Sequence, residues 1–262
     1  MTCEITKESP IAVIDSGLGG ISVLKELRRL MPYENFIYFG DSANAPYGEK
    51  SREEVRAATA HIVGRLVDAG AKAVVIACNT ATGAAITYLR EKYPHIPFIG
   101  IEPAIKPAAL SGDHPTVLVM ATPLTLKQEK FTRLLEKYKD MASFIEVPCH
   151  GLVELIEEGI TEGDRMEETL HIILDPHTKD RHIDGVVLGC THYPHAKSSI
   201  GKILGDKVKF FDGAVGVAKE TKRRIAEMDL LREENGEGYC HIYNSSTDDS
   251  FFEKSMRLLT KE

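Results

Sequence analysis

No part of this 262-residue chain is apolar for long. The longest unbroken apolar run, AVVIAC, falls far short of the roughly 20 residues that span a bilayer. The opening MTCEITKESP is polar and has no apolar core, so no secretory signal is expected. Base is scarce: 32 Lys and Arg against 39 Asp and Glu leave a net charge of −7 and a pI near 5.8. That disfavours nucleic acid as the main partner, because phosphate binding needs clustered Lys and Arg. The pairs Arg28-Arg29 and Arg223-Arg224 read as solvated helix faces. CxxC is absent, so a structural zinc site lacks its usual signature. The five cysteines are odd in number and widely spaced, which does not suit a disulfide framework. A cytoplasmic location is expected, with Cys3, Cys78, Cys149, Cys190 and Cys240 as thiols. DSGLGG (15–20) looks like a phosphate loop, but it lacks the Gly-Lys-Ser/Thr ending and does not fit GxGxxG, so a nucleotide reading is weak. Its glycines read instead as a tight turn that lets the backbone approach a small ligand.

What the chain does have is alternation. Short apolar runs bounded by turn residues give way to amphipathic stretches of period 3.6. Strands are predicted over 11–17, 35–41, 71–78 and 97–103, with helices over 20–31, 51–70 and 82–93. Ser51 and Glu54 form a capping box for the long helix, and Gly70 stops it. The pattern then restarts, with strands over 116–122, 143–149, 184–190 and 207–213 and helices over 124–138, 152–159, 165–177 and 193–204, the middle two separated by a break at Gly159–Gly163. The tail reads as helix, strand, helix. This implies an α/β fold of two similar parallel-sheet α/β domains related by pseudo-twofold symmetry, with the active site in the cleft between them. The first domain is expected over 10–98 plus 210–262 and the second over 99–209.

Open α/β sheets bind ligands beyond the carboxyl ends of their strands. Those ends carry Asp15-Ser16, Asp41-Ser42, Cys78-Asn79-Thr80, Thr122 and Cys190-Thr191-His192. A helix is expected soon after most of them, so free backbone N–H groups would suit a carboxylate or phosphate. One strand cysteine alone would read as a small core hydrophobe. VVIACNTATG and VVLGCTHYP, however, place Cys78 and Cys190 at equivalent points of two similar segments. A helix N-terminus favours thiolate, and His192 can tune Cys190 or deliver a proton. Two thiols on two like halves make a symmetric acid–base pair. One removes a proton from a carbon, the other delivers one to the opposite face, and the product is the mirror image. A hydrolase would need one nucleophile, a base and a water. Cys3, Cys149 and Cys240 lack this setting and are taken as structural or incidental.

IAVIDSGLGGISVLKEL, YFGDSANAPYGEKS, ACNTAT, GIEPA and LGCTHYPH resemble, in order and spacing, the motifs of bacterial glutamate racemases. The resemblance runs from about residue 10 to YNSSTDDSFFEKSMRLL. It implies interconversion of L- and D-glutamate by two cysteine bases, with no cofactor and no metal, the D-isomer feeding peptidoglycan synthesis. Cys78 and Cys190 match the two bases. Asp15 and His192 match residues that assist the thiols, and Glu157 one that pairs with the histidine. Asp15, Ser16, Pro46, Tyr47, Gly48, Asn79, Thr80, Thr122, Thr191 and His192 match positions that bind the amino acid. Thr82, Ala121 and Ser199 depart from the family's usual residues, and none of them is a thiol or the Asp. The resemblance also implies a homodimer. Alternatives left open are an aspartate racemase or related thiol-dependent isomerase, a non-catalytic small-ligand-binding or regulatory protein, and a metal–thiol hydrolase.

Overall fold

Residues that bury both faces of a strand must be apolar without alternation, and the central strands of this chain are. The computed structural model describes residues 4–234 and 236–260; Cys3, read above as a thiol, lies outside them. The chain divides into two units: one runs up to Ile101 and resumes at Ala214, and the other is Glu102–Gly213.

In the first unit β1 (Ile11–Asp15), α1 (Ile21–Leu30), β2 (Phe36–Gly40), α2 (Arg52–Asp68), β3 (Ala73–Ile76), α3 (Asn79–Lys92) and β4 (Phe98–Gly100) follow one another. The second unit holds α4 (Ile105–Ala109), β5 (Thr116–Ala121), α5 (Pro123–Leu126), α6 (Glu129–Tyr138), β6 (Ser143–Pro148), α7 (Leu152–Glu157), α8 (Asp164–Thr178), β7 (Gly185–Leu188), α9 (Lys197–Leu204) and β8 (Lys209–Phe211). The tail adds α10 (Ala214–Glu227), β9 (Cys240–Asn244) and α11 (Ser250–Thr260) to the first unit. The unit limits thus fall at 101/102 and 213/214, which keeps β8 whole within the second sheet.

Both sheets are wholly parallel, ordered β4-β3-β1-β2-β9 and β6-β5-β7-β8. Apart from β9, β5 to β8 take the places of β1 to β4. The connection order reverses between β1 and β3 in one sheet and between β5 and β7 in the other. Ligands of open α/β sheets sit at such switch points, beyond the carboxyl ends of the strands.

In the first unit Ile11, Val13, Ala73 and Val75 pack with Leu24, Leu27, Val217 and Leu258 from α1, α10 and α11. In the second, Leu118, Met120, Val186 and Leu188 face Leu152, Leu170 and Ile200, while Val117, Val119 and Val187 face Ile105 and Phe131. The α2 capping box is present, with Ser51 Oγ accepting from Glu54 N–H at 3.3 Å and Glu54 accepting from Ser51 N–H at 2.9 Å. Gly70, at φ 85°, takes the left-handed conformation that ends this helix. Arg29 pairs with Glu26, and Arg223 and Arg224 pair with Glu220, on exposed helix faces.

Three helix expectations change. The helix expected over 82–93 begins at Asn79, because Cys78 itself serves as its cap. The one expected over 124–138 is interrupted at Lys127-Gln128. After Cys190 the chain forms a short 3-10 turn, Tyr193–Ala196, before α9, where Pro194 has no N–H to give. The short helix α4 was not expected. No helix among the described residues is long and apolar enough to cross a membrane.

Candidate active site

Each switch point carries one thiol, and the two thiols are served differently. In the first unit Asp15 ends β1 and is buried, its Oδ2 accepting from the Gly17 N–H at 3.0 Å. The turn it makes needs glycine: a Cβ on Gly20 would lie 2.5 Å from the Asp15 Cβ and 3.0 Å from the Tyr38 hydroxyl. Tyr38 Oη fastens the same turn by donating to Gly17 O at 2.5 Å. Ser16 is buried beside it.

Cys78 follows β3 and caps α3. Its Sγ accepts from the Ala81 N–H at 3.5 Å, so the first-turn donors of the helix favour negative charge on the sulfur. Asn79 and Thr80 are the first helical residues, both buried. The Asn79 Oδ1 is buried and has no hydrogen-bond partner among the described residues. An orphaned carbonyl oxygen in a polar turn is costly, and an ammonium donor would satisfy it.

The loop after β2 brings Pro46, Tyr47 and Gly48 to this end of the sheet, Pro46 half-buried and the other two buried. Tyr47 Oη donates to Asp41 Oδ2 at 2.5 Å, and Asn44 Nδ2 donates to both Asp41 oxygens at 3.0 and 3.2 Å. Burial, then the Asp41 carboxylate, with Cys78 and Asp15 adding to them, push the Tyr47 phenol well above its usual range. Tyr47 therefore stays a protonated donor. Asp41, 2% exposed, is the organiser of this loop. Sequence reasoning noticed it as a strand end and did not rank it with the site residues; its position directly after β2 was the available signal.

In the second unit Cys190 lies beyond β7, and His192 and Glu157 form a chain behind it. Cys190 Sγ is 3.7 Å from His192 Nδ1, and His192 Nε2 is 2.6 Å from Glu157 Oε1. The carboxylate accepts the hydrogen bond that Nε2–H donates, which leaves Nδ1 facing the sulfur. His192 is 1% exposed, and burial opposes its charge. The Cys190 sulfur and the Glu157 carboxylate outweigh that and raise it well above the usual histidine range. Thr122 caps α5, its Oγ1 accepting from Thr125 N–H at 3.3 Å, and Thr191 is buried beside Cys190. Cys149, taken from sequence as structural or incidental, is buried in the same apolar cluster as Cys190 and Tyr193. The described cysteines form no disulfide. Among the described residues no group of three or more His, Cys, Asp and Glu is placed to hold a metal ion.

The structure thus gathers Asp15, Ser16, Pro46, Tyr47, Gly48, Cys78, Asn79 and Thr80 at the carboxyl end of one sheet. Thr122, Glu157, Cys190, Thr191 and His192 are gathered at that of the other.

The chain is 51% identical over 253 residues to the glutamate racemase of Clostridium acetobutylicum, covering 97% of this chain and 98% of that protein. It is 48% identical to that of Clostridium perfringens strain ATCC 13124, over 97% of each. The glutamate racemase of Francisella tularensis, crystallised with D-glutamate, superposes with a TM-score of 0.83 at 33% identity, over 98% of this chain and 95% of that one. The model of the Asp/Glu/Hydantoin racemase family matches residues 11–221, and the chain belongs to that family.

Proposed function

We infer that this protein interconverts L- and D-glutamate, with Cys78 and Cys190 as the two acid–base groups. The observation that carries the reading is the equivalence of the two thiols. Each follows the corresponding strand, β3 or β7, of a sheet with the same strand order, at that sheet's switch point. Glutamate comes from the relatives, which bear the name glutamate racemase at about half identity over nearly their full length.

One thiolate takes the α-proton from one face of the carbon, and the other thiol supplies a proton to the opposite face. In the reverse direction the roles exchange. The Asn79 amide, the Ser16, Thr80, Thr122 and Thr191 hydroxyls and the adjacent backbone N–H groups supply hydrogen bonds of the kind carboxylates and an ammonium take. Asp15 and the His192–Glu157 pair hold charge beside the two thiols, and no cofactor is called on. D-glutamate made in this way serves peptidoglycan synthesis. We place the enzyme in the cytoplasm, where thiols stay reduced, and as a homodimer, which sedimentation would test.

The deciding assay follows α-proton exchange in heavy water from D- and L-glutamate, D- and L-aspartate and glutamine. Exchange from both glutamate enantiomers is expected to dominate; exchange confined to aspartate would overturn the substrate assignment.

Glu157→Gln tests the second half-site. The carboxylate helps keep His192 protonated, and a neutral amide cannot. His192 then loses its proton at lower pH, so the alkaline limb of the rate profile moves toward lower pH. A shift of one unit means roughly tenfold less protonated histidine at a given pH on that limb. An unmoved alkaline limb would remove Glu157 from the mechanism.

A further inference from the structure

The loop that carries Pro46, Tyr47 and Gly48 is held from outside by the tail of the chain. β9 pairs with β2 in parallel, and Asn244 stands opposite Gly40, where the loop begins. Hydrogen bonds then cross from the tail to the short turn Ser42–Asn44. Asn244 Nδ2 donates to Ser42 Oγ at 3.0 Å, and the Ala43 N–H donates to Ser245 Oγ at 3.0 Å. The Ser245 N–H donates to Gly40 O at 3.0 Å. Asn244 is itself fixed, its Oδ1 accepting from the Ser246 N–H at 2.6 Å. These partners lie 202 positions apart in sequence, so only the pairing of β9 with β2 brings them together.

The clasp continues into the site. A Cβ on Gly40 would lie 2.5 Å from Gly17 O and 2.8 Å from Asn244 Nδ2. The end of β2, the turn after Asp15 and the end of β9 therefore meet at backbone distance. The Asp41 N–H donates to Asp15 O at 3.0 Å, and the Asn44 N–H to Asp41 O at 3.0 Å. The Asn44 and Tyr47 side chains both bond the Asp41 carboxylate. A hydrogen-bonded path thus runs from Asn244 and Ser245, through the Ser42–Asn44 turn, to Asp41 and Tyr47.

We propose that Asn244 and Ser245 are positioning residues for substrate binding: they clasp the Ser42–Asn44 turn and so hold Tyr47 and Gly48 ready for the amino acid. This rests on the reading of Pro46, Tyr47 and Gly48 as substrate-binding. Surface loops are mobile unless tied down, and a loop ordered only on binding takes its ordering cost out of affinity. Neither residue lies on β1 or β3, which lead to Asp15 and Cys78, so the loss is one of binding rather than of proton transfer. A clasp that merely anchored the tail would behave differently. Its loss would lower the folded fraction, and with it the apparent kcat, and leave KM alone.

Two measurements on the full-length protein test this: steady-state racemisation of glutamate, and amide hydrogen exchange of the peptide spanning 41–48. Asn244→Ala with Ser245→Ala removes both side-chain bonds. KM is expected to rise on the order of tenfold, a net hydrogen bond being worth roughly fivefold in a binding constant. The kcat per folded molecule should stay within about twofold, as for any loss of binding common to ground and transition states. Exchange at 41–48 should speed up in parallel. Ser245→Ala alone takes one oxygen from a half-buried residue and should show the same changes in smaller measure, should the double variant not fold. Ser245→Thr keeps the hydroxyl and should restore both values. An unmoved KM, or exchange at 41–48 as slow as in the unaltered protein, would overturn the proposal. Absence of racemisation by the unaltered protein would instead sink the functional reading, while the exchange profiles would still report the clasp.

Discussion

Cys78→Ala and Cys190→Ala are each expected to stop net inversion of glutamate, lowering it by on the order of 10²–10⁴-fold, the usual worth of a positioned proton donor or acceptor. The residual chemistry is the informative part. A variant that keeps one thiol can still lift the α-proton from one face and return one to that same face. In heavy water it should wash deuterium into one enantiomer without inverting it. The two single variants should select opposite enantiomers, and the double variant should exchange neither. Proton NMR of each enantiomer, followed separately, reads this directly. A double variant that racemises as well as the unaltered protein would end the two-thiol mechanism. Two single variants exchanging the same enantiomer would end the assignment of one thiol to each face. Both thiols are only 4–7% exposed, and each loses just a sulfur, so circular dichroism should show the fold intact.

The two half-sites are not copies, and this bears on what the sequence could say. The strands were legible because doubly buried parallel strands read as apolar runs; TVLVMA and AVVI have almost no other interpretation. The expectation of two similar halves came from the repeat of those runs, while the strand order of each sheet is seen only in the structure. The turns just after the two thiols were less legible. Asn79 reads as a loop residue by propensity, yet it opens α3, because a cysteine sulfur can cap a helix that tertiary packing has already placed. After Cys190 the same logic predicted a helix start, and a short 3-10 turn stands there. Cys78 is thus served by helical N–H groups and Cys190 by a histidine 3.7 Å away. Glu157 precedes His192 by 35 residues, and no spacing rule brings them together; only the resemblance did. Asp41 was passed over because its importance lies in hydrogen bonds and burial, and neither is written in residue type. The interaction that holds the opposite end of the first sheet was equally invisible: lysine–glutamate pairs are ordinary in sequence, and only the fold shows which one is dry.

That pair gives the largest stability effect expected. Lys72, just before β3, and Glu34, just before β2, meet at 2.6 Å with side chains 0% and 2% exposed. Lys72 Nζ also donates to Lys7 O at 2.6 Å and Leu230 O at 2.9 Å, and Glu34 Oε1 accepts from the Arg232 N–H at 2.8 Å. Four chain segments are therefore joined at the amino ends of the strands, away from Asp15 and Cys78. Burial pulls the Lys72 ammonium below its usual range despite Glu34 beside it, so desolvation outweighs attraction. A pair of this kind adds little net stability, but breaking it on one side leaves a buried charge uncompensated, at about 3–5 kcal/mol. Lys72→Met should cost that much and strand two carbonyls as well. At roughly 2–4 °C per kcal/mol for a chain of this size, the melting temperature should fall by on the order of 10 °C. Lys72→Met with Glu34→Leu should recover much of the loss, because both charges then leave together. Calorimetry on the two single variants and the double closes the cycle. Losses that simply add would show that the two side chains act separately, and a Lys72→Met variant as stable as the unaltered protein would show that the network carries no energy. The folded fraction of every variant should racemise glutamate normally, since no residue of this network lies at the carboxyl ends of the strands.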